Sequence, residues 1–329
     1  EFMNIAINTL SQESGIQFGT SGLRGLVSQM SHRVCCAYTL AFLDTIALQP
    51  GQAVAVGIDL RPSSPEIARA CVDAILARGG VVDYCGQLPT PALAFYAQQH
   101  GMPAVMVTGS HIPFDRNGIK FYRAEGEISK QDEADITSAI VELSDNAPNQ
   151  PLPVANPKAL HAYQQRYLDL FDSTALAGLK VGVYQHSSVA RDLLPEILQA
   201  LGARVVCIER TDHFVPIDTE AVSQEDALKA LAWSAEYDLD AIVTTDGDAD
   251  RPLIADETGT WLRGDIVGLL TARFLGAQTL VTPISCNTAL ELSGYFTDVI
   301  RTRIGSPYVI AAMEALAADR YPVAGFQAT

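Results

Sequence analysis

The sequence predicts an α/β protein made of consecutive α/β domains with mixed or mostly parallel sheets. Three observations predict it. Short apolar runs alternate with amphipathic segments along nearly the whole chain, as they do where strands are linked through crossover helices. The unit of strand, polar loop and helix restarts twice after breaks in composition. The length of 329 residues exceeds one core of ordinary size.

The elements follow in order. "QAVAVGIDL" reads as a buried strand, and "SPEIARACVDAILARGG" as a helix opening at Ser64-Pro65 and closing at Gly79-Gly80. "VVDYCG" is a strand, "TPALAFYAQQHG" a helix and "PAVMVTG" a strand, which completes βαβαβ; "ISKQDEADITSAIVEL" is the next helix. "SDNAPNQPLPVANPKAL" is dense in Pro and Asn and reads as a linker. After it come helix "HAYQQRYLDLF", strand "KVGVYQHSS", helix "ARDLLPEILQALG", strand "RVVCIER", helix "EDALKALAWSAEY" and strand plus loop "LDAIVTTDGDADR". A third set holds helix "GDIVGLLTARFLG", strand "TLVTPIS", helix "NTALELSGYF", strand "DVIRTRIG", helix "SPYVIAAMEALAADR" and the start of a strand in "PVAGFQAT". The expected domains are 1–152, 153–257 and 258–329. Ligands gather at the carboxyl ends of strands in open parallel sheets, so a polar loop from each domain is expected to face one central cleft.

Composition narrows the function. The formal net charge is −16, with 22 basic against 38 acidic residues and no Lys/Arg run. Phosphate-backbone binding needs basic patches, so nucleic acid is excluded as a partner. An anionic small substrate must be held by a few placed cations against the overall field. The six cysteines form no C-x-x-C, the usage expected of a reduced, cytoplasmic protein. No apolar run approaches eighteen residues, so no membrane partner is expected.

The chemistry concentrates in loops. In "TTDGDADRP", Asp246, Asp248 and Asp250 alternate with small residues after an apolar strand. In extended backbone they would point one way. Three carboxylates brought together repel, and a hard divalent cation such as Mg²⁺ resolves the repulsion; the bland alternative is an acidic surface turn. A calcium EF-hand is rejected, because its sixth place requires Gly and here holds Arg251. In "VTGSHIPFDRNGIKFY", Ser110 lacks the flanking glycines of a nucleophile elbow, since Thr108 and Ile112 stand there. It suits phosphoryl transfer better, where charge neutralisation and positioning matter most. His111 adjoins it, and Lys120 follows a "DRNG" turn that folds the chain back, as a proton carrier or a phosphate clamp. The plain reading is a Ser-His turn with a solvated lysine. "FGTSGLRG" offers three glycines for close approach to an anion, with Arg24 as a fixed cation. In "RTRIGSPY", Arg301 and Arg303 lead into a Gly305-Ser306 turn that opens a helix, a weaker anion site.

Together and in this order, these four loops resemble the successive signatures of the α-D-phosphohexomutase superfamily, and within it most closely the bacterial phosphomannomutases. The resemblance spans nearly the whole chain. It implies an isomerase, an intramolecular phosphotransferase interconverting hexose 1-phosphate and hexose 6-phosphate through a phosphoserine at Ser110 and a hexose 1,6-bisphosphate. It implies Mg²⁺ on Ser110, Asp246, Asp248 and Asp250, with Arg24, His111 and Lys120 as further catalytic groups. It implies substrate contacts from Thr20, Ser21, Arg251, Arg303, Gly305, Ser306 and Gln327. Mannose is the favoured sugar. The alternatives are phosphoglucomutase or phosphoglucosamine mutase activity, a noncatalytic phosphosugar-binding homologue, and a sugar phosphatase. Two departures stand out. Gly109 and Ile112 replace a frequent Ala and Asn around the serine, and Gln327 in "AGFQAT" replaces the Glu of the sugar loop. An amide changes the donor and acceptor pattern offered to sugar hydroxyls. The third domain is expected to be incomplete and the family's fourth absent.

Overall fold

The computed structural model describes residues 2–19, 22–144, 150–316 and 318–328. They form two compact units: one runs to Ile217 and takes back Thr245–Arg251, and the other comprises Asp218–Thr244 and the chain from Pro252.

The first unit is built on a mixed sheet. Its strands lie in the order Gln17–Phe18, Leu23–Leu26, Arg116–Arg123, Ala104–Val107, Ala53–Ile58 and Val81–Gln87, with Gly126–Glu127 pairing to Arg116–Arg123. The last three run parallel, joined through helices Ser64–Ala77 and Thr90–Gln99 as the βαβαβ pattern requires. The strands before them pair antiparallel. Ala53–Ile58 is apolar along its length because both neighbours are strands and helices cover its faces. Helix His32–Thr45, capped by Ser31, is buried from Val34 to Leu43, and Phe42 stacks on Phe121 at 4.6 Å.

One reading is corrected in this unit. The helix expected over 128–143 spans only Lys130–Ser138, started by a Ser129–Asp132 capping box. Ile140–Ser144 is instead a strand, antiparallel to Phe2–Ala6. The reason is period: burial alternates from Ile140 to Leu143, which suits a strand face and no helix face. The described end of the Pro/Asn-rich segment, read as a linker, is fastened to the sheet. Asn156 donates its N–H to Tyr84 O at 2.7 Å and its amide to Asp83 Oδ1 at 2.9 Å. Gly86 allows the approach, since a Cβ there would lie 2.8 Å from Ala155 Cβ. The unit continues through helix Lys158–Leu170 to the parallel strands Lys180–His186 and Arg204–Arg210.

The second unit contains helix Gln224–Tyr237, capped by Ser223, then strands Ala241–Thr245 and Pro252–Ala255 and helix Gly264–Phe274. A parallel sheet follows in the order Asp298–Thr302, Thr279–Pro283 and Val323–Gly325. The helix expected over 287–296 is a single turn, Ala289–Leu292, because Gly294 takes φ of 67° and ends it. Among the described residues no helix is long and apolar enough to cross a membrane.

Candidate active site

Three loops of the first unit carry the site, each at the carboxyl end of a strand: those after Ala53–Ile58, Ala104–Val107 and Ala241–Thr245. Ser110 sits just past its strand with a left-handed backbone, φ of 51°. Such a conformation is uncommon for a serine and persists only where neighbours enforce it. They do. The Ser110 N–H donates to Thr108 Oγ1 at 2.8 Å, and its carbonyl accepts from Arg61 at 2.9 Å. Its Oγ donates to Asp246 Oδ2 at 2.7 Å, with His111 Nδ1 at 3.5 Å. The residue is 1% exposed.

The aspartates do converge, but not through extended backbone. Asp246 and Arg251 close a tight loop, N–H to carbonyl at 3.2 Å, and Ala249 turns left-handed within it at φ of 56°. The turn brings one oxygen of each of Asp246, Asp248 and Asp250 within 4.8 Å of the others. Burial raises the Asp246 pKa well above the ordinary range, and the charges of Asp248 and Asp250 raise it further. Burial alone would raise Asp248 too, but the Lys120 charge and hydrogen bonds from Lys120 and Thr90 bring it below the usual value.

Lys120 is 4% exposed, and its Nζ donates to Asp248 Oδ2 at 2.8 Å and Asp250 Oδ2 at 2.7 Å. Burial disfavours its charge, yet the two carboxylates outweigh burial and its pKa is raised. Thr90 fixes Asp248 from below, with its N–H on the Asp248 carbonyl at 2.9 Å and its hydroxyl on Oδ2 at 2.5 Å. Asp248 Oδ1 is buried and has no hydrogen-bond partner among the described residues. A cluster of hard oxygen donors with an unsatisfied buried oxygen fits a small divalent cation.

Arg24 donates to Thr108 O at 2.7 Å; burial lowers its pKa, and Asp248 and Asp250 oppose that. Its place depends on Gly118, where a Cβ would lie 2.3 Å from Leu23 O and 2.8 Å from Arg24 Nη1. Arg251 lies beside the aspartates, its N–H 3.3 Å from Asp246 Oδ1 and its Nε 3.8 Å from Asp250 Oδ1. Thr20 and Ser21 lie outside the described residues.

Other expected residues belong to the second unit. Arg303 is exposed, its guanidinium 5.9 Å from the centre of the Tyr308 ring. Gly305 takes φ of 133° ahead of helix Ser306–Glu314, and Gln327 is half-buried after strand Val323–Gly325. Arg301 is a strap rather than a waiting cation. It donates to the carbonyls of Pro283, Cys286 and Asn287 and pairs with Glu291.

Sequence reasoning passed over Asp59, Arg61 and Thr90. Asp59 is 1% exposed and accepts from the Thr108 hydroxyl at 2.8 Å and the Gly109 N–H at 3.3 Å. For Asp59 a signal was present: it opens a polar burst, "DLRPSS", at the end of a strand apolar throughout.

Comparison with known proteins adds the following. Residues 15–147 match the family described as phosphoglucomutase/phosphomannomutase, alpha/beta/alpha domain I, and residues 161–259 match its domain II. A phosphomannomutase of Salmonella muenchen is 49% identical over 317 residues, covering 96% of this chain and 66% of that protein. A phosphomannomutase of Sinorhizobium fredii is 50% identical over 325 residues, covering 95% and 68%. The chain thus spans about two thirds of the length of these relatives. A solved phosphoglucomutase/phosphomannomutase family protein of Burkholderia thailandensis shares the fold at a TM-score of 0.72 and 21% identity, covering 90% of this chain and 68% of that one.

Proposed function

Because the chain belongs to the phosphoglucomutase/phosphomannomutase family, we propose that it carries the phosphoryl-transfer centre of a phosphosugar mutase acting on hexose phosphates, mannose phosphates first. The observation that carries this reading is the Ser110 hydroxyl held 2.7 Å from Asp246, in a cluster of three carboxylates of which Asp246 and Asp248 are buried. A hydrolase would need a base poised to activate a serine. Here the hydroxyl donates at 2.7 Å to Asp246, a carboxylate fit for a cation, while His111 Nδ1 stands further off at 3.5 Å, which suits a serine that carries phosphate.

In the reaction, a phosphate on Ser110 Oγ passes to a hydroxyl of the hexose monophosphate. The Oγ–P bond breaks, the sugar O–P bond forms, and the proton lost from the sugar hydroxyl is balanced by the one gained by the departing Ser110 oxygen. The resulting hexose 1,6-bisphosphate turns over and returns its other phosphate to Ser110. Mg²⁺ held by Asp246, Asp248 and Asp250 would supply charge neutralisation for the transferring group. Arg24 and Lys120 bring the fixed positive charges on the protein side. Lys120 Nζ bonds Asp248 and Asp250, a placement that suits a phosphate clamp. His111 Nδ1, at 3.5 Å from Ser110 Oγ, is the neighbour placed to exchange a proton with it. Arg303, Gly305, Ser306 and Gln327 are assigned to the sugar and its second phosphate. The mannose preference rests on the two phosphomannomutase relatives.

The test is conversion of mannose 1-phosphate or glucose 1-phosphate, with Mg²⁺ and a trace of hexose 1,6-bisphosphate. Formation of the 6-phosphate without free phosphate is expected. Absence of conversion together with absence of phosphate on Ser110 by intact mass overturns the reading.

A further inference from the structure

Arg61, one of the neighbours that bond the Ser110 backbone, is among the most completely buried large side chains described, at 1% exposure. Its guanidinium faces the loop that follows Ser110. Nη1 donates to Pro113 O at 2.8 Å and Arg116 O at 2.9 Å. Nη2 donates to Ser110 O at 2.9 Å and Ile112 O at 2.6 Å. Four carbonyls of one loop therefore turn inward onto one planar fork. The charge is balanced by Asp59, whose Oδ2 lies 3.3 Å from Nε. The same Asp59 holds the other flank of the serine through Thr108 and Gly109. One face of the guanidinium is covered by the Phe214 ring at 4.0 Å. That ring also borders the aspartate loop, since a Cβ on Gly247 would lie 3.1 Å from Phe214 and 3.1 Å from Ser110 O.

Resting on the mutase reading, we propose that Arg61 is a positioning residue: by gripping the carbonyls of residues 110–116 it holds the left-handed turn at Ser110 and so aims the hydroxyl at Asp246. Its two terminal nitrogens are taken up by those carbonyls, so it acts through Ser110. The geometry needs a fork. A lysine has the same charge but only three rotatable donors at one point, and it cannot serve four carbonyls spread along a loop. Ser110 would then relax from its uncommon backbone well, and its oxygen would leave the line to the carboxylates. Loss of a fixed geometry of this kind costs rate even where every reacting group remains.

The experiment compares the chain with its Arg61→Lys variant by two readouts. The first is hydrogen exchange of the peptide spanning 104–118 against that spanning 241–255. The second is the rate at which dephosphorylated Ser110 takes phosphate from glucose 1,6-bisphosphate, followed by intact mass. Arg61→Lys is expected to raise exchange in the serine loop and leave the aspartate loop unchanged. It is expected to slow phosphate uptake about 100-fold, with Mg²⁺ affinity by calorimetry within about threefold. A folded variant with unchanged exchange, or with uptake within about threefold of the parent, overturns the proposal. So does parallel loss of Mg²⁺ binding, which would mean general collapse of the site. If Arg61→Lys does not fold, Phe214→Ala keeps the arginine while uncovering it. Faster exchange of the serine loop is then expected, and unchanged exchange overturns the proposal. A parent chain that takes no phosphate defeats the mutase reading alone, and exchange still decides the role of Arg61.

Discussion

Each unit contains an arginine that fastens a loop by its carbonyls, and the two differ in what surrounds them. In the first unit, Arg61 and its partner Asp59 are fully buried and grip the loop that bears Ser110. In the second, Arg301 grips the loop after strand Thr279–Pro283, but its partner Glu291 is 42% exposed. The same contrast separates the functional groups. Ser110, Asp246, Asp248 and Lys120 are buried and bonded to one another. Arg303 is exposed, and Gln327 half-buried. Groups that meet developing charge act through fixed geometry in a dry site, where electrostatics are strong. The residues we propose for sugar recognition sit on a wetter surface, where a residue can change without unsettling the fold. On the proposed function, reaction type is built into the first unit more rigidly than substrate choice is built into the second.

The largest expected effect breaks the rigid side. Ser110→Ala removes the phosphate carrier, and mutase turnover should fall by about 10⁴-fold or more, while the circular dichroism spectrum stays that of the parent. Substantial turnover in this variant would show that the buried hydroxyl is structural. Lys120→Met comes next. The ammonium bonds two carboxylates at 2.7 and 2.8 Å with almost no exposure, and removing one partner of such a set costs about 3–5 kcal/mol. The loss should be largest without metal and partly recovered by millimolar Mg²⁺, because the cation neutralises the same carboxylates. Thermal melts with and without Mg²⁺ read this directly. Equal Mg²⁺ shifts in parent and variant would separate the lysine from the metal cluster.

The parts of this arrangement that could be read from sequence share a physical character. Strands and helices of the first unit follow from apolar runs and caps, and the Ser110 and aspartate loops announce themselves by reactive residues after apolar strands. Convergence of the carboxylates was legible from their spacing, although the cause is the turn at Ala249 and not a strand face. Arg61 was not legible, because an arginine after a strand reads as a solvated cation. Only the fold shows it turned inward onto carbonyls that lie 49 to 55 residues further along. Strand Ile140–Ser144 was missed for a related reason. Its partner Phe2–Ala6 comes from the other end of the domain, so local pattern could not show the pairing.

The remaining predictions probe the looser side. Gln327→Glu places an acceptor-only side chain in the loop we propose for sugar recognition. The ratio of kcat/KM for mannose 1-phosphate over glucose 1-phosphate should change by about three- to tenfold, with little change in melting temperature. An unchanged ratio would remove Gln327 from sugar recognition.

The smallest effect tests the exposed strap. Hydrogen bonds from Arg301, both 2.7 Å long, hold the Glu291 carboxyl below its usual range, and burial opposes them only in part. A carboxyl whose folded pKa is depressed contributes stability above its unfolded value, about 4.3, and loses it as pH falls through the lower folded value. Because Glu291 is substantially exposed, water screens the pair, and Glu291→Gln should cost only about 0.2–1 kcal/mol at pH 7. The difference between parent and variant should shrink as pH falls below about 4, and at neutral pH it should shrink with added salt. Arg301 keeps its three carbonyl bonds in the variant, so the loop should stay in place. A loss of several kcal/mol at pH 7 would show instead that the second unit is strapped as tightly as the first.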